Sequence, residues 1–250
     1  MKEIFSTQNK LIKDLKKQKR TNRFLLFLDN PKSINDAFLA GFTPKLLLVD
    51  QEKLGKLSLP VAQDTIITNE EIIAQFSSTK TPQGVVAVYD FVITNPKKPT
   101  SNFLVLDGLQ DAGNIGTLLR SALGADFIDV FLVDCTALTN DKVVRSSMSA
   151  IFRLNIYELA RQEFVEFAKK QNLNLVCGDM GGENVFEIKS TLKNVGLVVG
   201  NEGNGVSGEL ASLCNMALSI PMANGLESLN VGVAGSIMMF QINQKKEVKL

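Results

Sequence analysis

Histidine does not occur in this 250-residue chain. That absence removes every Ser-His-Asp or Cys-His mechanism, the zinc proteases built on paired histidines, and histidine as a general base near neutral pH. Tryptophan is also missing and tyrosine occurs twice, so stacking on single-stranded bases would have to rest on phenylalanine. The three cysteines, Cys135, Cys177 and Cys214, are odd in number and lack CxxC spacing, which argues against a disulfide framework and against a zinc site. No apolar run approaches the roughly eighteen residues of a membrane span. The opening MKEIFSTQNKLIKDLKKQKR has neither the apolar stretch nor the cleavage site of a secretory signal, so the cytoplasm is the expected compartment. Chemistry is left to carboxylates, Arg, Lys, Ser, Asn, main-chain groups or a bound cofactor.

What is present is the mixture of a folded globular chain, 45% apolar and 21% charged, long enough for one large domain or two ordinary ones. Charge is unevenly spread. Residues 1–30 hold eight Lys or Arg against Glu3, Asp14 and Asp29; eight minus three is +5, so the remainder of a chain of net +1 carries −4. A basic N-terminal segment on a nearly neutral body is a footprint of nucleic-acid contact, with Lys16, Lys17, Lys19 and Arg20 as candidate nucleic-acid-binding residues and Arg145 further along. The same segment also reads as a solvated amphipathic helix in which Leu11, Ile12 and Leu15 face a core.

The polar stretch Thr94-Asn95-Pro96-Lys97-Lys98-Pro99-Thr100 separates two apolar regions and reads as a linker. It divides the chain into residues 1–94, a linker at 95–100 and residues 101–250. Before it, 25–29, 45–50, 65–68 and 84–90 have the look of short strands, with helices at 31–41 and 69–78. Asn69 is the expected cap of the second helix and Gly41 the stop of the first. After the linker, strands at 103–108, 128–134, 155–159, 173–180, 195–202 and 217–222 alternate with helices at 114–123, 141–154, 163–172, 207–215 and 227–244. Strands apolar throughout, each followed by a helix, imply an α/β domain whose parallel sheet is covered on both faces.

Ligands of such sheets sit at the carboxyl ends of strands, and three of these ends are polar and glycine-bearing. Asp107 to Arg120 contains Gly113 and Gly116, which allow a tight turn into a helix N-terminus; Asn114 reads there either as a functional group or as an N-cap. Gly200 to Gly208 contains a GxGxxG at Gly203, Gly205 and Gly208, the dinucleotide pattern. Glu202 stands against that reading, because it places a carboxylate beside the pyrophosphate, and no acid ends the following strand. Ile220 to Asn230 is a loop shaped by Pro221 and Gly225, with Glu227, Ser228 and Asn230 opening the last helix, where capping is the ordinary explanation.

In this order the three segments resemble the SpoU (TrmH-type) RNA 2′-O-ribose methyltransferases of the SPOUT superfamily. NIGTLLRSA, LVVGNEGNGVS and IPMANGLESLNVGVA carry the resemblance, supported by VVRSSMSAIFRLNIY and by PQGVVAV at 82–88. Ala112 and Gly232 depart from it, standing where many relatives have proline and serine. The resemblance implies a small N-terminal α/β substrate-binding domain and a C-terminal parallel-sheet domain tied in a deep trefoil knot. It implies S-adenosylmethionine held by Gly200, Ile220 and Leu229, with the turn from Val176 to Met180 closing the adenine pocket. The implied reaction is attack of a ribose 2′-hydroxyl on the sulfonium methyl, without metal, on structured RNA and ribosomal RNA in particular. Asn114, Arg120, Glu202, Ser228 and Asn230 are the implied catalytic group, in a homodimer whose first-motif arginine completes the other subunit's site. An RNA-binding protein of this fold without turnover and, from the glycine pattern alone, a dinucleotide-dependent oxidoreductase are the alternatives.

Overall fold

The computed structural model describes residues 2–91, 94–188 and 192–244. The chain divides into two compact units, residues 1–92 with 137–141, and residues 93–136 with 142–250.

The first unit runs β1 (Lys2–Glu3), α1 (Lys10–Thr21), β2 (Leu25–Leu28), α2 (Pro31–Leu39), β3 (Leu46–Asp50), β4 (Asp64–Thr68), α3 (Glu70–Phe76) and β5 (Val85–Asp90). Its sheet is mixed, in the order β1-β4-β3-β5-β2, with β5 antiparallel to both β3 and β2. The apolar runs account for all but β1, whose two residues are too few to show periodicity. Asn30 caps α2 by accepting from Lys32 N (2.8 Å), and Asn69 caps α3 through Ile72 N (3.1 Å), as its position predicts. Helix α1 is amphipathic as read: Ile12 and Leu15 bury against a core containing Phe27, Leu48, Ile72 and Phe76.

The second unit contains β6 (Phe103–Asp107), α4 (Ala112–Gly124), β7 (Asp129–Val133), α5 (Asp141–Ser146, whose first residue groups with the other unit), β8 (Asn155–Leu159), α6 (Arg161–Gln171), β9 (Asn174–Asn184), β10 (Val195–Val199), α7 (Gly208–Ala211), β11 (Cys214–Ser219) and α8 (Val231–Ile242). The sheet order is β11-β9-β10-β6-β7-β8 and every pairing is parallel. Every residue of β6 and β10 is buried, the pattern of strands covered on both faces. Because all six strands run the same way, their carboxyl ends, and the loops that follow them, share one edge.

Three expected helices are shorter than their patterns. Residues 141–154 do not form one helix. Helix α5 stops at Ser146, Met148 and Ser149 have φ of +49° and +67°, and a single 3₁₀ turn follows at Ala150–Phe152. The Ser146 and Ser147 hydroxyls donate back to Lys142 O (2.6 Å) and Val144 O (2.8 Å), the competition with main-chain bonding that weakens a helix. Residues 207–215 yield only the four-residue α7, because Cys214 pairs with Leu175 and begins β11. The last helix begins at Val231, after the Asn230 cap, and not at 227. No helix among the described residues is long and apolar enough to cross a membrane.

Candidate active site

Helix α4 is capped by Asp111, which accepts from Asn114 N (2.9 Å) and is held in turn by Lys142 Nζ (2.8 Å). The Lys142 hydrogen bond keeps the Asp111 carboxyl below the usual carboxylate range. Asn114 is therefore not the cap, and its amide is available to other loops. Its Nδ2 donates to Glu202 Oε1 (2.6 Å), and its Oδ1 accepts from Asn230 Nδ2 (3.0 Å). The polarity follows from chemistry: a carboxylate only accepts, so Nδ2 must face Glu202, leaving Oδ1 for Asn230. Asn230 meanwhile caps α8 through its own Oδ1, which accepts from Gly232 N (2.9 Å). One hydrogen-bonded chain thus joins the loops after β6, β10 and β11.

The bend after β10 is held shut. Asn201 and Gly205 exchange main-chain hydrogen bonds of 2.9 Å each, and Asn201 Oδ1 accepts from Gly203 N (2.9 Å). A Cβ at Gly200 would overlap the main chain of Gly205 and Val206, so only glycine permits this closure. Asn201 Nδ2 reaches Gly108 O (3.0 Å). Gly205, at φ +67°, folds the bend back onto Asn201, Glu202 stands within it, and the helix that begins at Gly208 is four residues long. That geometry does not make the pyrophosphate cradle of a dinucleotide fold.

Residues 101–240 match the SpoU rRNA Methylase family, more than half of the chain and all three loops. The chain belongs to the SpoU rRNA methylase family. It is 28% identical to the Bacillus subtilis 23S rRNA (guanosine(2553)-2'-O)-methyltransferase RlmP over 97% of this chain and 99% of that one. An rRNA methyltransferase from Sinorhizobium meliloti, one of whose two structures is AdoMet-bound, superposes with a TM-score of 0.84 at 24% identity over 97% of both chains. That likeness carries the fold: α/β, with an all-parallel sheet in the methylase domain.

Within this SpoU methylase the other expected residues are placed unequally. Arg120 lies on α4 six residues beyond Asn114, exposed and on another face, and no hydrogen bond or ion pair from it occurs among the described residues. Ser228 is exposed in the loop that ends at Asn230. Gly200 is buried at the end of β10, while Ile220 and Leu229 are half-buried at the two ends of the 220–230 loop. Val176 and Cys177 are strand residues paired with β11, and the pairing then skips from Ala217↔Cys177 to Leu218↔Glu183. Residues 178–182 are thereby left out of the pairing with β11, with Met180 76% exposed among them, so the chain bulges within β9 at 178–182 and the first two residues of the expected Val176–Met180 turn remain in the strand.

The basic residues also separate. Lys16 Nζ donates to Gln75 Oε1 (3.2 Å). Lys19 donates to Phe76 O (2.6 Å), pairs with Asp141 (3.0 Å) and lies 5.5 Å from the Phe27 ring centre. Lys17 and Arg20 are exposed. Arg145, in the second unit, is exposed in the last turn of α5. An open groove of about 1030 Å³ in the first unit mixes Lys2, Lys10 and Lys45 with Asp14 and Asp64 and contains none of the converged residues.

Reading the sequence alone missed one part of the site. Asp107 ends the otherwise apolar β6 with its side chain 1% exposed, and it is paired with Arg161 at 3.0 Å. The visible signal was the acid closing an apolar strand. Its partner, 54 residues away in sequence, had none.

Proposed function

We propose that this chain transfers a methyl group from S-adenosylmethionine to a ribose 2′-hydroxyl of structured RNA, and that the RNA is ribosomal. The observation that carries this reading is the chain Glu202–Asn114–Asn230, which gathers three strand-end loops into one polar site. The 2′-O-methyltransferase activity in the name of the B. subtilis relative and the AdoMet bound in the S. meliloti structure support the chemistry.

The residues present fit the cofactor. Gly200 offers main chain without a side chain in the way, Ile220 and Leu229 are half-buried aliphatic positions, and Met180 is an exposed apolar side chain at the bulge within β9. Such a setting suits a purine ring recognised through its face and through main-chain hydrogen bonds. When bound, S-adenosylmethionine supplies an electrophilic methyl, so the protein's task is alignment. Glu202 and Asn230 fix the rotation of the Asn114 amide from both sides, making it a preset hydrogen-bonding group for the sugar. Ser228 presents a hydroxyl from the same loop as Asn230. Arg120 is assigned to an RNA phosphate and to the developing alkoxide; guanidinium groups keep their proton in proteins, so it is not the base.

The homodimer belongs to the same proposal. Helix α8, VGVAGSIMMFQI, is apolar nearly all round, which calls for burial on every side. Val233 and Phe240 nevertheless stay 45% and 53% exposed, and a second copy of the chain would cover them. The trefoil knot and the RNA-binding role of residues 1–94 rest on the resemblance, the latter with support from exposed Lys17 and Arg20. The cytoplasmic assignment is supported by three free cysteines, with burial pushing the thiols of Cys135 and Cys214 up to about 12.

Calorimetry with S-adenosylmethionine and with NAD, followed by methyl transfer to RNA from a strain lacking the gene, tests the reading. Binding of S-adenosylmethionine and formation of a 2′-O-methylated nucleotide are expected. Preferential NAD binding, or RNA binding without turnover, contradicts it.

A further inference from the structure

A buried carboxylate sits directly behind the converged loops and touches none of the groups assigned to the reaction. Asp107 Oδ1 accepts from both Nε (3.2 Å) and Nη2 (3.0 Å) of Arg161, the first residue of α6. Its Oδ2 accepts from the main-chain N–H of Ser207 (2.7 Å), the residue that leaves the 200–208 bend and caps α7. One residue further along, Gly108 O accepts from Asn201 Nδ2 (3.0 Å), where the chain enters that bend. The bend bearing Glu202 is therefore tied at both ends to two consecutive residues, Asp107 and Gly108, where the chain leaves β6 toward α4 and Asn114.

We propose that Asp107 is a positioning residue for methyl transfer: held by Arg161, it fixes the exit of the 200–208 bend through Ser207 N–H and so sets where Glu202 meets Asn114. This rests on the methyltransferase reading above. The physical case is that both groups facing Asp107 are donors, so it must act as an acceptor on both oxygens. An amide in its place would turn one N–H₂ toward another donor, either Arg161 or the Ser207 main chain. The mismatch is costly at Asp107, whose side chain is 1% exposed, and falls on the Ser207 N–H, because Arg161 is 32% exposed and keeps Asp134 at 3.7 Å as a second partner. Only Val206 and Ser207 separate the Asn201–Gly205 closure from a four-residue helix, and residues 202–205 are exposed, so the part of the bend bearing Glu202 has little packing of its own to resist a shift. A displacement near 1 Å at Glu202 rotates the Asn114 amide away from its preset orientation, and misplacement of that size costs about a hundredfold in rate.

The test is Asp107→Asn, with Arg161→Lys as a second variant that keeps the charge but loses the two-nitrogen contact. The first readout needs no catalysis: amide hydrogen exchange across residues 201–207 of the full-length protein. Faster exchange in Asp107→Asn, with a smaller rise in Arg161→Lys, is expected; unchanged protection overturns the proposal. The second is a cycle of Asp107→Asn with Glu202→Gln, reading kcat and the Kd for S-adenosylmethionine. Asp107→Asn alone is expected to lower kcat by about ten- to a hundredfold with cofactor Kd altered less than about threefold, and to add little in the Glu202→Gln background. Losses that multiply fully would mean Asp107 acts through general stability, which overturns the proposal. A wild-type protein that methylates nothing removes the functional reading but leaves the hydrogen-exchange result to decide on the tie.

Discussion

The two units use the same residue type in opposite ways. In the N-terminal unit asparagines serve helices beside them: Asn9, Asn30 and Asn69 accept from N–H groups two or three residues on, and where Asn69 reaches farther it ends on the main chain of Phe5. In the C-terminal unit Asn114 and Asn230 bond to side chains on other loops, 88 and 116 residues away in sequence. Local satisfaction makes a scaffold. Polar side chains that satisfy one another across loops make a site, because their geometry then depends on the whole fold. The sheets differ in the same sense: the mixed sheet of the first unit leaves loops at both ends, whereas the all-parallel sheet of the second sends the loops after every strand to one edge.

The largest expected effect is at Arg120. Arg120→Ala should lower kcat for methyl transfer at least about a hundredfold, as loss of a charge-stabilising donor does. Its affinity for S-adenosylmethionine should hold, measured by calorimetry, since Arg120 is assigned to the RNA and not to the cofactor. Transfer at the parent rate would remove Arg120 from the site.

Next comes a matched pair of caps. Asn30→Ala and Asn230→Ala each remove a helix cap and should each lower stability by about 1 kcal/mol in urea unfolding. Only Asn230→Ala also frees the Asn114 amide, so it alone should lower kcat, by about tenfold or more. Equal kinetic effects from the two would break the contrast between the units.

A smaller effect is expected along α1. Lys17→Ala with Arg20→Ala should weaken RNA binding and reduce the slope of log K against log salt by about one to two units. Lys16→Ala and Lys19→Ala, whose ammonium groups already bond to Gln75 and to Phe76 O, should change the slope less and stability more. An unchanged slope in all four would leave α1 as a solvated helix and no more.

The smallest concerns pH. Burial pushes the Asp29 carboxyl up, but hydrogen bonds from Ser77 Oγ, Ser78 N and Ser78 Oγ outweigh it and hold the group below its ordinary 3.8. A depressed folded value means the stabilisation is complete above the unfolded pKa and is lost as pH falls through the folded one. The melting temperature of the parent should therefore drop more steeply from about pH 5 to about pH 3 than that of Asp29→Asn. Parallel curves would show the Ser77–Ser78 bonds to be without weight.

What could be read from the sequence follows the same division. Apolar runs and Asn caps are local, so β2, β3, α2, α3 and the Asn69 cap were visible in one pass. The convergence of Asn114, Glu202 and Asn230 came into view only through the order of three motifs, because no spacing rule links residues so far apart. Helix ends were misjudged where serine hydroxyls compete with the main chain, at Ser146, or where sheet pairing overrides helical periodicity, at Cys214. Arg161 could not be found at all from its own neighbourhood, since its role exists only in contact with Asp107.

The most direct measurement of the central claim is the fate of a labelled methyl group. Ribosomal RNA from a strain lacking the gene, incubated with the protein and methyl-labelled S-adenosylmethionine and digested to nucleosides, should yield a single 2′-O-methylated nucleoside with the parent protein and almost none with Asn114→Ala. Label on a base, or equal label with Asn114→Ala, would contradict the claim that the three loops form one site for ribose methylation.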